Sequence, residues 1–393
     1  LKKEKIFGIE KNVFFIGVTS FFNDTSIKMV YSVMPLFLLS IGASKTAISA
    51  IEGLSESIAS FVKVLSGYWS DKLGRYKPFL VIGYTLSTLV TPFYAISKFA
   101  AEIMTLRIFE RFGKGLRAAP RDSMIGQATG ENDSGKNFGF HKAMDNSGAV
   151  LGPLIAMALL YYFPDNYQLI FIIASIPALF GVLTIVLYIK ENSIKKVEHS
   201  LAGAVNKIPQ RFYCFLIIVF VFSLGNSTDA LLLVKTSETG ISHSLIPLVF
   251  MLYNTVSVIL AVPIGKLSDK IGHGKMIVIG FFLYSIIYFI FGYSSHFGVF
   301  LLLFALYGIY SAMTDSSQKA MISDIVPHEI KGTAFGLYHA VLGITFLPAS
   351  LFAGLLYDYV NSSAPFYFGG ALSLIAALLM LLFLKSKGTC KIS

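Results

Sequence analysis

The sequence predicts an all-α polytopic membrane protein of twelve transmembrane helices arranged as two six-helix bundles. Three observations carry this. The 393 residues are 55% hydrophobic and only 14% charged, with 35 Phe, 20 Tyr and a mean hydropathy of +0.69, more apolar surface than a water-soluble globule can hide. The apolar residues gather into twelve segments, each long enough to cross a bilayer as a helix, which takes roughly 20 residues. Alternating polar and apolar runs of about ten residues, the mark of a membrane barrel, are absent from the sequence.

The first span, 13–41, is the least ordinary. Within it "FFNDTSIKMV", Phe21 to Val30, puts Asn23, Asp24, Thr25, Ser26 and Lys28 at membrane depth. An ionisable side chain there costs at least about 2.5 to 3.5 kcal/mol, so Asp24 and Lys28, four residues apart, need partners or a water-filled cavity. They suit either a coupling pair or a permanent ion pair that orders the helix. The second span, 46–66, carries Glu52, Glu56 and Lys63, the last two sharing a face, and the third, 77–97, is apolar. The fourth, 101–122, holds Arg107, Glu110, Arg111, Lys114, Arg117, Arg121 and Asp122. Arg107, Arg111, Lys114 and Arg121 recur at helical spacing, a positively charged wall with Arg111 near mid-depth, while Arg117 and Arg121 read as anchors at the cytoplasmic end.

The fifth span, 137–163, sets His141 and Asp145 one turn apart, which suits a proton relay, since His changes charge near neutral pH, or a structural pair or gate. Its Gly148, Gly152 and Pro153 carry no proton chemistry. Small residues four apart admit a neighbouring helix, and the proline bends or loosens its own. The sixth span, 167–190, is apolar. Asp229 and Lys235 fall in the seventh, 211–235; the eighth and ninth, 243–265 and 275–294, are apolar. Asp315 and Lys319 are i and i+4 in the tenth, 297–324, His339 lies in the eleventh, 331–357, and the twelfth, 361–385, is apolar. Both signs of charge occur in both halves, as a polar cavity or a set of self-neutralising pairs requires. Tyr307, Tyr310, Tyr338 and Phe335 read as packing or interfacial belt ahead of substrate stacking.

The net charge of +10 reports orientation and implies no nucleic-acid partner. With the N-terminus in the cytoplasm, 21 of the 32 Lys and Arg fall in cytoplasmic segments and only Lys45 and Lys98 in the opposite loops. The positive-inside rule then puts both termini inside. The remaining nine sit at membrane depth, too many for lipid-facing positions. No phosphate-cradling Gly loop ending in Lys-Ser/Thr is present and no His/Cys cluster has zinc spacing, so neither enzyme activity nor a cofactor or metal is expected.

The longest polar stretch, Lys190 to Arg211, separates six spans from six, giving expected domains 1–189 and 211–393 joined by a cytoplasmic linker, 190–210. Across it the sequence repeats. "GYWSDKLGRYK" from Gly67 matches "GKLSDKIGHGK" from Gly265, "GKNFGF" from Gly135 matches "GTAFGL" from Gly332, and "NDTS" from Asn23 has an echo in "NSTD" from Asn226. A parallel repeat of six helices places a substrate site near the midplane between the halves.

These residues carry a family resemblance. The Gly-x-x-x-Asp-Lys-x-Gly-Arg-x-Lys loop between the second and third spans, its copy between the eighth and ninth, and the six-plus-six repeat resemble the major facilitator superfamily over essentially the whole chain. "RFGKGLRAAPRD" from Arg111 is similar to the family's fourth-helix motif, and "GAVLGP" from Gly148 to the fifth-helix Gly-x-x-x-Gly-Pro motif of antiporters. The second loop departs from the pattern, with His273 where Arg75 stands in the first. The resemblance implies that Asp71 and Arg75 latch the halves on the cytoplasmic side, with Gly67 and Gly74 permitting close approach and a tight turn, and Gly265, Asp269 and Gly272 their counterparts.

By residue type and depth, Asp24, Lys28, Glu56, Arg111, His141, Asp145, Asp229 and Asp315 are the expected substrate or coupling residues. The reading that follows is a monomeric secondary transporter of a bacterial inner membrane, moving a small organic solute by alternating access, with protons as coupling ion and efflux as direction. A proton-coupled importer of a nutrient or a metal-chelating organic acid stands beside it. From another class stand a transporter-like receptor and a lipid scramblase.

Overall fold

The computed structural model describes residues 5–128, 134–191, 208–326 and 331–386. Its helices in chain order are α1 Lys11–Ser40, α2 Lys45–Leu73, α3 Lys77–Val90, α4 Ala100–Ala128, α5 Ser134–Tyr162, α6 Tyr167–Tyr188, α7 Gln210–Gly225, α8 Ala230–Ser237, α9 Ile246–Ile271, α10 His273–Tyr293, α11 Phe297–Ile325, α12 Lys331–Tyr359 and α13 Ala364–Lys385. A 3-10 turn, Thr91–Ile96, prolongs α3. The expected all-helical polytopic architecture holds, with the seventh span broken into α7 and α8. Among the described residues, nine segments are long and apolar enough to cross a membrane. The helices left out are α1, α2 and α4, which at 30, 29 and 29 residues fail on composition and not on length. They are the helices that hold Asp24, Glu56 and Arg111.

One element was not expected. Lys5–Ile6 pairs antiparallel with Ile9–Glu10, joined by a two-residue turn with φ of 49° at Phe7 and 75° at Gly8. Positive φ at both turn positions matches the twist of paired strands, and Gly8 supplies it without strain. The hairpin inserts Ile9 beside Val13, Ile16, Leu80, Tyr84, Ile125 and Ile185.

Contacts divide the chain into two compact units. One comprises Leu1–Ala43, Ile58–Glu198 and Ser242–Met251; the other comprises Ser44–Ser57, His199–Ile241 and Leu252–Ser393. The expected linker lies outside the described residues over 192–207. In the first unit α1 packs on α5, α6 and α4, and α3 on α4 and α6. Glycine sets these approaches. A Cβ on Gly152 would stand 2.5 Å from the Thr25 carbonyl oxygen and 2.9 Å from Met29 N, and one on Gly148 would collide with the Phe21 carbonyl oxygen. Gly83 and Gly113 make the same backbone-to-backbone contact between α3 and α4 at 2.6 Å. The end of this unit at the α2–α3 turn is tied by Asn12, which exchanges two 3.1 Å hydrogen bonds with the Lys190 backbone, and by Glu191, which accepts from Tyr76 N and Lys77 N at 3.0 Å.

In the second unit α10 packs on α13 and α11, and α7 on α13 and α12. The start of α2 belongs here: Gly53 closes on Ser350 of α12, and the Asp358 carboxylate accepts from Lys45 N at 3.3 Å and Thr46 N at 2.7 Å. A carboxylate on the first amides of a helix satisfies donors that the helix itself leaves unpaired.

Candidate functional site

The polar stretch of α1 lies where Gly148 and Gly152 bring α5 against it, and α5 answers with its own ionisable residues. The carboxyl groups of Asp24 and Asp145 lie across the α1–α5 seam from each other, close enough for their charges to interact. Asn23 Nδ2 donates to Asp24 Oδ1 at 3.4 Å. Arg121 Nη1 stands 4.0 Å and Lys142 Nζ 3.9 Å from the Asp145 carboxylate. One turn earlier on α5, His141 is buried with Nε2 2.8 Å from Ser20 Oγ. Asp24, Asp145, His141 and Arg121 thus form one cluster.

About one turn farther along α1 the chemistry changes sign. Lys28 Nζ, Arg107 Cζ and Arg111 Cζ stand 5.8, 5.6 and 5.8 Å from the centroid of the Tyr31 ring, and Lys28 Nζ lies 5.1 Å from that of Phe250. Cations within about 6 Å of an aromatic face are attracted to its negative quadrupole, most strongly where water is excluded. Arg107 is completely buried and pairs with Glu110 at 2.8 Å, and Tyr94 Oη donates to the same Glu110 oxygen at 2.7 Å. Glu110 is therefore committed to holding Arg107 in place.

That pair yields a stability prediction. Glu110→Gln leaves a buried guanidinium short of its counter-charge and is expected to cost about 3–5 kcal/mol. Thermal unfolding in detergent checks it, and Arg107→Met added to Glu110→Gln recovers much of the loss.

Arg117 departs from its reading as a terminal anchor. It is 3% exposed, donates to Ser87 Oγ at 2.7 Å and Gly83 O at 3.3 Å, and stacks 4.5 Å from the Tyr84 centroid. Glu56 is half-buried on the part of α2 that belongs to the second unit. In that unit Asp229 accepts from Tyr307 Oη at 2.8 Å, and Asp315, exposed on α11, accepts from Ser311 Oγ at 3.1 Å. The structure thus gathers Asp24, Lys28, Arg111, His141 and Asp145 in the first unit and holds Asp229 and Asp315 in the second.

Of the loop residues, a Cβ on Gly67 would lie 3.2 Å from Ala119 Cβ, Gly74 takes φ of 65°, and Arg75 is exposed. The Asp71 side chain lies outside the described residues. In the copy, Gly272 takes φ of 96° at the α9–α10 turn, Gly265 meets nothing within 4 Å, and His273 Nε2 stands 3.9 Å from Asp269 and 3.7 Å from Asp324. No group of three or more His, Cys, Asp or Glu is disposed to hold a metal among the described residues.

Two overlapping matches to the Major Facilitator Superfamily family model, residues 16–233 and 213–389, cover almost the whole sequence. The chain belongs to the Major Facilitator Superfamily. Like the family's members it is an integral membrane transporter and not an enzyme. An uncharacterized MFS-type transporter of Methanocaldococcus jannaschii is 34% identical over 382 residues, 95% of each chain. The quinolone resistance protein NorA of Staphylococcus aureus is 26% identical over 175 residues, 44% of this chain and 45% of its own. A POT family transporter solved in complex with 5-aminolevulinic acid superposes with a TM-score of 0.84 at 13% identity, over 98% of this chain and 99% of that one, a likeness of fold. Within this Major Facilitator Superfamily chain the sequence reading passed over Tyr31, Tyr94 and Phe250. Aromatic residues in apolar spans carry no local mark that distinguishes a cation platform from packing.

Proposed function

We propose that this transporter exports a small organic solute bearing an anionic group in exchange for protons. The observation that carries the reading is the convergence of Lys28, Arg107 and Arg111 on Tyr31, one helical turn from the neighbouring carboxyl groups of Asp24 and Asp145. Three cationic heads gathered on one aromatic ring form a receptor for a carboxylate, sulfonate or phosphate, and Arg offers the planar fork that such groups match. The carboxyl pair supplies the proton store. Asp24 exchanges its proton as the surroundings of Lys28 change between inward- and outward-facing forms, with His141 beside it as relay. The fifth-helix motif and the partial likeness to NorA favour efflux over uptake.

The test uses purified protein in proteoliposomes with an imposed pH gradient and a panel of small organic acids, their amides serving as uncharged controls. Gradient-driven movement of acids but not amides supports the reading; movement of both equally, or of neither, overturns it. Arg111→Gln is expected to weaken acid binding at least tenfold, as loss of a charge-assisted contact predicts.

The protein sits in the cytoplasmic membrane with both termini inside. Single cysteines at Ser44 and Lys266, both exposed, are expected to label from opposite sides once Cys214 and Cys390 are replaced by serine. Labelling of both from outside would end that orientation.

The cytoplasmic latch assigns Asp71 a charge-assisted contact on the order of 1.5 to 3 kcal/mol in the outward-facing form. Asp71→Asn is then expected to shift the resting population inward by about tenfold or more, read as increased accessibility of cysteines placed along the cytoplasmic pathway.

A further inference from the structure

The second unit contains a site of opposite chemistry, built around the "NSTD" stretch. α7 ends at Gly225 and α8 begins at Ala230, so Asn226 to Asp229 leave the helix a little past the middle of a 28-residue membrane-spanning segment. All four are half-buried. Non-helical backbone at that depth is tolerated only inside protein or beside a water-filled cavity. The break is held open by design of the surrounding side chains. Thr228 Oγ1 accepts from Ala230 N at 3.2 Å, and Tyr284 Oη lies 3.2 Å from both Gly225 O and Asn226 Oδ1. Asp229 occupies the cap position of α8 but makes no side-chain cap bond; its carboxylate receives Tyr307 Oη instead.

Tyrosine rings from three helices cluster around its partner Tyr307. Tyr253 of α9 and Tyr307 of α11 are 5.2 Å apart, Tyr284 and Tyr288 of α10 stack at 4.0 Å, and Tyr310 of α11 is 4.8 Å from Tyr284. Each buried phenol needs a hydrogen-bond partner that Phe would not, so a core built for packing alone gains nothing from this choice. A carboxylate held by a phenol among aromatic faces is recognition chemistry for an organic ammonium, whose charge meets the carboxylate and whose alkyl groups meet the rings.

We propose that Asp229 and the surrounding tyrosines of the second unit form a binding site for an organic ammonium group, independent of the anion cluster of the first unit. The probe is benzyltrimethylammonium, titrated calorimetrically into the full-length protein in nanodiscs in potassium buffer. Its uncharged carbon isostere, neopentylbenzene, and sodium chloride are the comparisons. Wild type is expected to bind the ammonium at least tenfold more tightly than the isostere. Asp229→Asn should lose at least tenfold in affinity. Tyr253→Leu, at a half-buried position, should lose several-fold and keeps the test alive if Asp229→Asn does not fold. Arg111→Gln should bind the ammonium as wild type does, which separates this site from the anion reading. No binding by wild type, equal binding of the isostere, displacement by sodium, or unchanged affinity in the folded variants each overturns the proposal.

Discussion

Asp24→Asn is expected to abolish solute movement driven by a pH gradient, lowering the initial rate at least tenfold, while the protein still folds and is still stabilised by its solute. The asparagine amide keeps the size and the hydrogen-bonding capacity of the carboxyl, so the packing of α1 on α5 survives and only the exchangeable proton is lost. Proteoliposome flux with and without an imposed gradient separates the coupled from the uncoupled process. A purely structural role for Asp24 makes different demands. Asp24→Asn would then lower the unfolding temperature, and Lys28→Met added to it would restore much of the loss by removing the orphaned ammonium. Wild-type coupled flux in a stable Asp24→Asn protein would sink the coupling role.

The second large effect is on folding. Gly152→Val is expected to yield little folded protein, because its first side-chain carbon would stand 2.5 Å from the Thr25 carbonyl oxygen, and neither helix backbone can step aside without opening the α1–α5 seam. Overpacking of this kind costs typically about 1–3 kcal/mol even where the core can yield. Gly152→Ala should show the same effect at lower amplitude as a fall in unfolding temperature. Gly298→Ala is the control. It sits in the first turn of α11 with nothing within 4 Å of the added carbon, and is expected to be neutral or slightly stabilising. Equal behaviour of Gly152→Ala and Gly298→Ala would show that the seam is loose.

The spans were legible because hydropathy is local, and the fifth-helix glycines because four-residue spacing of small residues has one common mechanical use. The break in the seventh span was not legible. Four polar residues in an apolar run can stay helical, and only Tyr284, nearly 60 residues on, decides otherwise by taking the Gly225 carbonyl. Arg117 misled for a related reason. Its position near a helix end suggests an anchor, whereas its burial depends on Gly83 of another helix, which lets the Arg117 backbone come close and accepts from its guanidinium. Tyr31 gave no signal at all, since the cations that meet on it come from two helices and Phe250 from a third, far along the chain. Pairwise chemistry between distant segments is what a single sequence hides.

The pinning of α1 by α5, α6 and Lys190 also sets a timetable for synthesis. α1 leaves the ribosome with Asp24 and Lys28 unsheltered; the α5 glycines that pack on it follow after about 110 more residues, and the Lys190 backbone that fixes Asn12 after about 150. At about 5–20 residues per second that is a wait of roughly 7 to 30 seconds. During it α1 has no completed seat in the bilayer, so the nascent chain needs either an insertase that shelters a polar helix or an entry of α1 into the membrane that is late and shared with its partners.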